Sequence, residues 1–156
     1  AGDELVPRPD QQAAGPAAGA DREMSRARDF AAARRLVASL VEKGELNEMA
    51  LLGFARQKRY EETVVALAAL SKSAIEVIRP LMQSLRDDGV VVACRAASLN
   101  WETTSAILAC RYSTGSPDAA ELARAKTLFA RTSAEDARRM LAFWRVRSPP
   151  PPSRMN

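Results

Sequence analysis

The sequence predicts an all-α fold of short antiparallel helices stacked against one another. Three observations point there. Ala and Leu dominate an apolar share of 47%, aromatic residues are only 5%, and β-branched residues are thinly spread, a balance that favours helix over strand. Apolar residues recur at three- and four-residue spacing from about residue 25 to about 146, with no sustained period-2 pattern. The text also repeats. Tyr60-Glu-Glu-Thr63-Val-Val-Ala-Leu67-Ala68 aligns with Trp101-Glu-Thr-Thr104-Ser-Ala-Ile-Leu108-Ala109 at a shift of 41 residues (101 minus 60). That period falls in the roughly 40–47 residue range of HEAT/armadillo-like helical repeats, so the expected architecture is a solenoid-like stack of seven or eight helices.

At 156 residues the chain is long enough for one domain that buries a core without a metal or disulfide. The expected organisation is an N-terminal arm over 1–20, one helical domain over 21–147 and a Pro-rich tail over 148–156. Residues 1–20 are Ala, Gly, Pro and Gln with a few charges and cannot supply a core. Pro149 to Pro152 forbid helix and favour polyproline II.

The elements follow in order. Phe30, Ala33, Val37, Leu40 and Val41 mark a first helix, stopped by Gly44. Leu46 to Ala55 is apolar on most faces and is expected at the centre of the domain. Tyr60, Val64, Leu67 and Ala68 mark a third. Ile75, Ile78, Leu81, Met82 and Leu85 form the cleanest stripe, opened by a capping box Ser73-Ala-Ile-Glu76 and interrupted by Pro80, where a kink or restart is expected. Val90, Val91, Cys94 and Ala97 come next; Val90-Val91-Val92 is the one strand-like spot and is too short for a strand.

Asn100 is the expected cap of a helix carrying Trp101, Thr104, Leu108 and Tyr112. After the loop Ser113–Pro117, Ser116 is the expected cap with Pro117 in the first helical position. Ser133-Ala-Glu-Asp136 opens the last helix, whose inward stripe is Ala137, Met140, Leu141 and Trp144. Phe143 lies about 100° from Trp144 around that helix and is expected to project beside Arg139 and Arg147.

The composition excludes much chemistry. With no His, the usual general base, the Ser–His and Cys–His pairs and the common zinc sets are absent. There is no CxxC, no Walker-type Gly-Lys-Ser/Thr and no GxGxxG. No catalytic, cofactor-binding or metal residue is therefore assigned, and no cofactor is expected. The adjacent acids Glu61/Glu62, Asp87/Asp88 and Glu135/Asp136 fall where first turns are expected, where negative charge suits the helix macrodipole. Cys94 lies on an apolar stripe as a structural thiol, and a disulfide with Cys110 is not expected. Trp101 and Trp144 read as core residues.

The net charge is +4, carried at the ends. Residues 118–156 hold eight Lys/Arg against four Asp/Glu, whereas 44–117 hold eight against eight. Arg34/Arg35 and Arg138/Arg139 read as solvated helix faces, the alternative being phosphate contacts. Two cysteines fit a reducing compartment, no run reaches the ~18 apolar residues of a membrane span, and Ala1–Ala20 has no signal-peptide core. The chain is accordingly expected to be cytoplasmic and a fragment of a longer protein.

Lys43-Gly-Glu-Leu46, Leu51-Leu52-Gly-Phe-Ala-Arg-Gln-Lys-Arg-Tyr60-Glu-Glu, Ala66-Leu-Ala-Ala-Leu70 and Cys94-Arg-Ala-Ala-Ser-Leu99 resemble the bacterial domain-of-unknown-function family 2336. So do Trp101-Glu and Ala106-Ile-Leu108. The resemblance implies alphaproteobacterial cytoplasmic proteins with HEAT-like helices, no assigned activity and no catalytic residues to carry over. The functional expectation is a non-catalytic helical-repeat interaction or scaffold domain with a protein partner or self-association. The alternatives are a nucleic-acid-associated regulatory module using the basic terminal helices, and an enzyme working through Glu, Lys or Cys alone.

Overall fold

The computed structural model describes residues 30–112, 115 and 117–147, and over these it is all-α. Helix α1 runs over 30–42, followed by α2 (Glu48–Arg56), α3 (Tyr60–Ser71), α4 (Ile75–Gln83), α5 (Asp88–Ala96), α6 (Trp101–Cys110), α7 (Ala119–Arg131) and α8 (Ala134–Arg147). Eight helices packed on one another, with no strand among the described residues, match the expected fold class. The N-terminal arm over 1–20 and the Pro-rich tail over 148–156 lie outside the described residues, as does Ser116.

The helices are short because specific residues stop them. Gly44 adopts φ +69°, and its N–H bonds to Val41 O while Glu45 N–H bonds to Leu40 O. Those two bonds define a Schellman stop, in which one left-handed residue turns the chain back on the last helical carbonyls. The same pair of bonds recurs after α2 at Lys58, after α3 at Lys72 and after α5 at Ser98, at φ +59°, +59° and +60°. These three carry a Cβ where glycine would be unstrained.

The starts are capped by side chains. Asn47, Asn100 and Asp118 accept from Ala50, Thr103 and Glu121 N–H, and Ser133 accepts from Asp136 N–H. The acids of the three adjacent pairs fall at the starts of α3, α5 and α8, as expected.

Four local expectations change. The Ser73 capping box does not form: Ala74 is the cap residue and Ser73 Oγ has no partner. Ser73 N–H is already committed to Ala68 O in the stop that ends α3, which holds the residue in the preceding turn. Of the two outcomes expected at Pro80, the restart does not occur: α4 runs through it with Pro80 on the exposed side. Helix α7 starts after Asp118 instead of at Pro117, because the Asp carboxylate is the group that reaches the free N–H. Met140 is 41% exposed instead of facing inward.

Packing then places the core. Helix α5 touches α3, α4, α6, α7 and α8; α2 packs on α3 and α6. The main core gathers Phe30 and Val37 of α1, Leu51 and Phe54 of α2, Val64 to Ala68 of α3, Ile78 of α4, Val90, Val91 and Cys94 of α5, and Ile107 and Leu108 of α6. A smaller core on the other side of α5 joins Val77, Val92, Ala96, Ala137 and Leu141, with Trp144 half-buried against it. The centre of the domain is therefore α3 and α5, not the Leu46–Ala55 helix, whose Met49 is 73% exposed. Valine, alanine and cysteine are small enough for neighbours to approach α5 on every side, and Gly89 lets it start within contact of Leu81. The strand-like Val90-Val91-Val92 is the most enclosed stretch of helix.

The repeated text has a structural counterpart. Tyr60 and Trp101 each open a helix, and Thr63 and Thr104, both fully buried, donate to the carbonyls of Arg59 and Asn100 at 2.7 and 3.0 Å. The left-handed residues Lys58 and Ser98 are 40 apart (98 minus 58), whereas the helix starts are 41 apart. The additional residue belongs to the link before α6, where Asn100 supplies a side-chain cap that α3 lacks.

Relieving one of these stops gives a direct test. Lys72→Gly should stabilise the chain by about 0.5 kcal/mol, the strain relieved minus the added freedom of the unfolded chain. Lys58 has the same φ, yet its ammonium donates to Ala109 O and Tyr112 O, so Lys58→Gly should be destabilising. Urea midpoints that move the same way in both variants would contradict this account.

Candidate functional site

Most polar groups that penetrate the fold are engaged in holding it. Glu48, the first residue of α2, accepts from Asn100 N–H at 2.8 Å and Thr103 Oγ at 2.6 Å, placing a carboxylate at the start of α6. Lys58, beyond the end of α2, places its ammonium on Ala109 O at 2.7 Å and Tyr112 O at 2.9 Å, at the end of α6. Each sign of charge lies at the end of the α6 dipole that it favours.

Arg111 is a largely enclosed cation. Its side chain is 8% exposed, donates to Met82 O and Ser84 O, and pairs with Asp87 Oδ1 at 2.6 Å. It thus ties the α4–α5 turn to the end of α6. Sequence spacing contained no signal for Glu48, Lys58 or Arg111, because their partners lie 24 to 55 residues away.

The residues weighed for catalysis are placed as follows. Glu62 pairs with Arg59, Asp88 with Arg86, and both Glu135 and Asp136 with Arg139. Cys94 and Cys110 are both free and buried. Burial pushes the Cys94 thiol from 9.0 up to about 12, against a smaller opposing effect of its hydrogen bond with Thr104. Burial also raises Cys110, whose thiol lies 3.7 Å from Thr63 Oγ. Trp101 is half-buried edge-on to Phe129, with centroids 5.5 Å apart. Among the described residues no group of three or more Cys, Asp or Glu is placed to hold a metal ion, and no helix is long and apolar enough to cross a membrane.

Two surface features remain. Helix α8 buries Ala137 and Leu141 and exposes Met140, Phe143 and Val146, with Phe143 56% exposed. The Arg147 guanidinium lies 5.3 Å over the Phe143 ring, as expected from the helical spacing. The second feature is a pair of grooves. One, of about 580 Å³ between the α4–α5 turn and α7, mixes Arg86, Arg124 and Arg131 with Asp87, Asp88 and Glu121. The other, of about 350 Å³ where α8 meets the ends of α3 and α5, is lined by Lys72, Arg138 and Arg145 and by no carboxylate.

Two outcomes test this placement. Arg111→Met should cost about 3 kcal/mol, because Asp87 is left in a largely enclosed site without its counter-charge. Adding Asp87→Asn should recover part of that loss in urea unfolding. The thiols should resist an aromatic disulfide reagent at pH 8 until the chain unfolds. Their raised values favour the neutral thiol, so this contribution to stability is complete below the unfolded value of 9.0 and declines as pH rises above it. Prompt labelling of the folded chain at pH 8 would contradict the burial.

Among curated proteins and among solved structures, no match was found. A bacterial protein family does match, over residues 2–142, which extends well beyond the stretch that carries the resemblance in the sequence. The chain belongs to the family described as "Uncharacterised protein conserved in bacteria (DUF2336)".

Proposed function

We propose that this chain is a non-catalytic helical-repeat interaction domain that pairs with a second copy of itself through the outer face of α8. The observation that carries the reading is the exposure of Met140, Phe143 and Val146 on the last described helix. A stack of helices leaves its terminal outer face without a following helix, so apolar side chains there favour a further layer.

Charge selects a second copy as that layer. Asp136, Met140, Phe143 and Arg147 follow one another at spacings of four, three and four residues, which places them on one stripe. The stripe is acidic at its start and basic at its end. Two copies laid antiparallel bring Asp136 of one against Arg147 of the other, twice, across the Met140 and Phe143 side chains. Such a contact is self-complementary, as a two-fold interface requires. The non-catalytic part of the reading is supported by the absence of His and by the engagement of the adjacent acids and both thiols in pairs or burial.

A second reading, association with nucleic acid, is favoured by the acid-free groove on α8. It is weakened by the pairing of Arg34 with Glu76 and of Arg139 with Glu135 and Asp136, which takes up much of the basic face that phosphate would need.

Light scattering tests self-association. The intact chain should show a concentration-dependent dimer, and a chain ending at Ser148 should do the same. Phe143→Asp should be monomeric, with the urea midpoint that the parent shows when too dilute to pair, since Phe143 lies outside both cores. Arg147→Glu should weaken the dimer about tenfold, and adding Asp136→Lys should restore it, on the scale of about 1 kcal/mol for a charge pair. A monomeric intact chain at all concentrations would overturn the proposal.

A further inference from the structure

We infer that the groove where α8 meets the ends of α3 and α5 binds a phosphate-bearing small molecule. The inference is independent of pairing through α8, since it uses a different face of that helix. Its first support is the distribution of charge. The ion pairs that join arginines to carboxylates among the described residues leave out Lys72, Arg138 and Arg145. All three line one groove with no acidic side chain in its wall.

A purely structural role for these cations would be to neutralise the helix ends beneath them. Lys72 is the residue that ends α3, and Ser98 follows the end of α5. Each helix end carries about half a negative charge, so two ends account for about one of the three positive charges. Two of the last carbonyls at each end are also already answered, Ala68 and Ala69 by the turn at Lys72, and Cys94 and Arg95 by the turn at Ser98. About two positive charges are left over, which matches a phosphate monoester near neutral pH.

The hydrogen-bonding groups fit the same chemistry. Ser98 Oγ accepts from Arg138 at 3.2 Å, which orients the guanidinium across the groove and leaves the hydroxyl proton free to donate. Arginine's planar fork suits the oxygens of a phosphate. Leu70, Ala96 and Leu141 give the groove an apolar wall against which the organic part of a ligand can rest. A volume of about 350 Å³ lies at the small end of ligand pockets, enough for a phosphate and a compact body.

The test is isothermal titration of the full 156-residue chain with inorganic phosphate, with a nucleoside monophosphate and with a short single-stranded oligonucleotide. One-to-one binding of phosphate is expected in the millimolar range, tighter for the monophosphate. Arg138→Gln/Arg145→Gln should weaken both at least tenfold. Lys72→Gly should weaken them while the urea midpoint holds or rises, which separates loss of charge from loss of fold. Arg124→Gln/Arg131→Gln, in the mixed-charge groove, should leave them unchanged. The inference is overturned if neither small ligand saturates, or if the groove variants bind as the parent does. It is equally overturned if only the oligonucleotide binds, which would mark an extended nucleic-acid surface in place of a small-molecule site.

Discussion

Everything in this fold depends on the burial of α5 from all sides. Successive residues of a helix point about 100° apart, so burying Val90, Val91, Val92, Ala93 and Cys94 in a row requires neighbours all round. Helices α3, α4, α6, α7 and α8 supply them. Each buried valine contributes about 2 kcal/mol, and the small residues allow the close approach that a Leu-rich helix would prevent. The two cores are the two flanks of this one helix: Val91 and Cys94 face the larger, Val92 and Ala96 the smaller.

A stack of such short helices leaves many helix ends inside or near the core, and end groups without partners are costly. The chain meets this with left-handed stops at Gly44, Lys58, Lys72 and Ser98, and with side-chain caps at Asn47, Asn100, Asp118 and Ser133. Charged side chains from distant segments complete the set. Glu48 and Lys58 serve the two ends of α6, and Arg111 gathers carbonyls at the end of α4 together with Asp87. Much of the ionic equipment that could suggest chemistry is spent on joining helices.

What is left over defines the surface. The apolar stripe of α8 exposes Met140, Phe143 and Val146, and Lys72, Arg138 and Arg145 line the groove beside it. Stripe and groove lie on different faces of one helix, so both proposed contacts converge on α8. Family membership extends over residues 2–142 and therefore includes nearly all of the helical stack.

The sequence by itself determined the helical class, the approximate number of helices and the stops and caps made by neighbouring residues. Gly44, Asn100 and Ser133 act over three to five residues, and such local hydrogen bonds depend on spacing that the sequence displays directly. The exposure of Phe143 beside Arg147 was legible for the same reason, since the angle between residues on one helix is a local quantity. Where two local motifs competed, sequence was insufficient: Ser73 has the spacing of a cap, but the stop at Lys72 takes its N–H first. Only the tertiary structure decided that α5 and not α2 is central, because apolar content says that a helix is buried but not how many neighbours can reach it. It alone brought Arg111 to Asp87, Lys58 to the end of α6, and Lys72, Arg138 and Arg145 to one groove. Arg111 and Asp87, Lys58 and α6, and Lys72 and α8 lie far apart along the chain, and long-range charge placement follows from how helices pack, which no local spacing encodes.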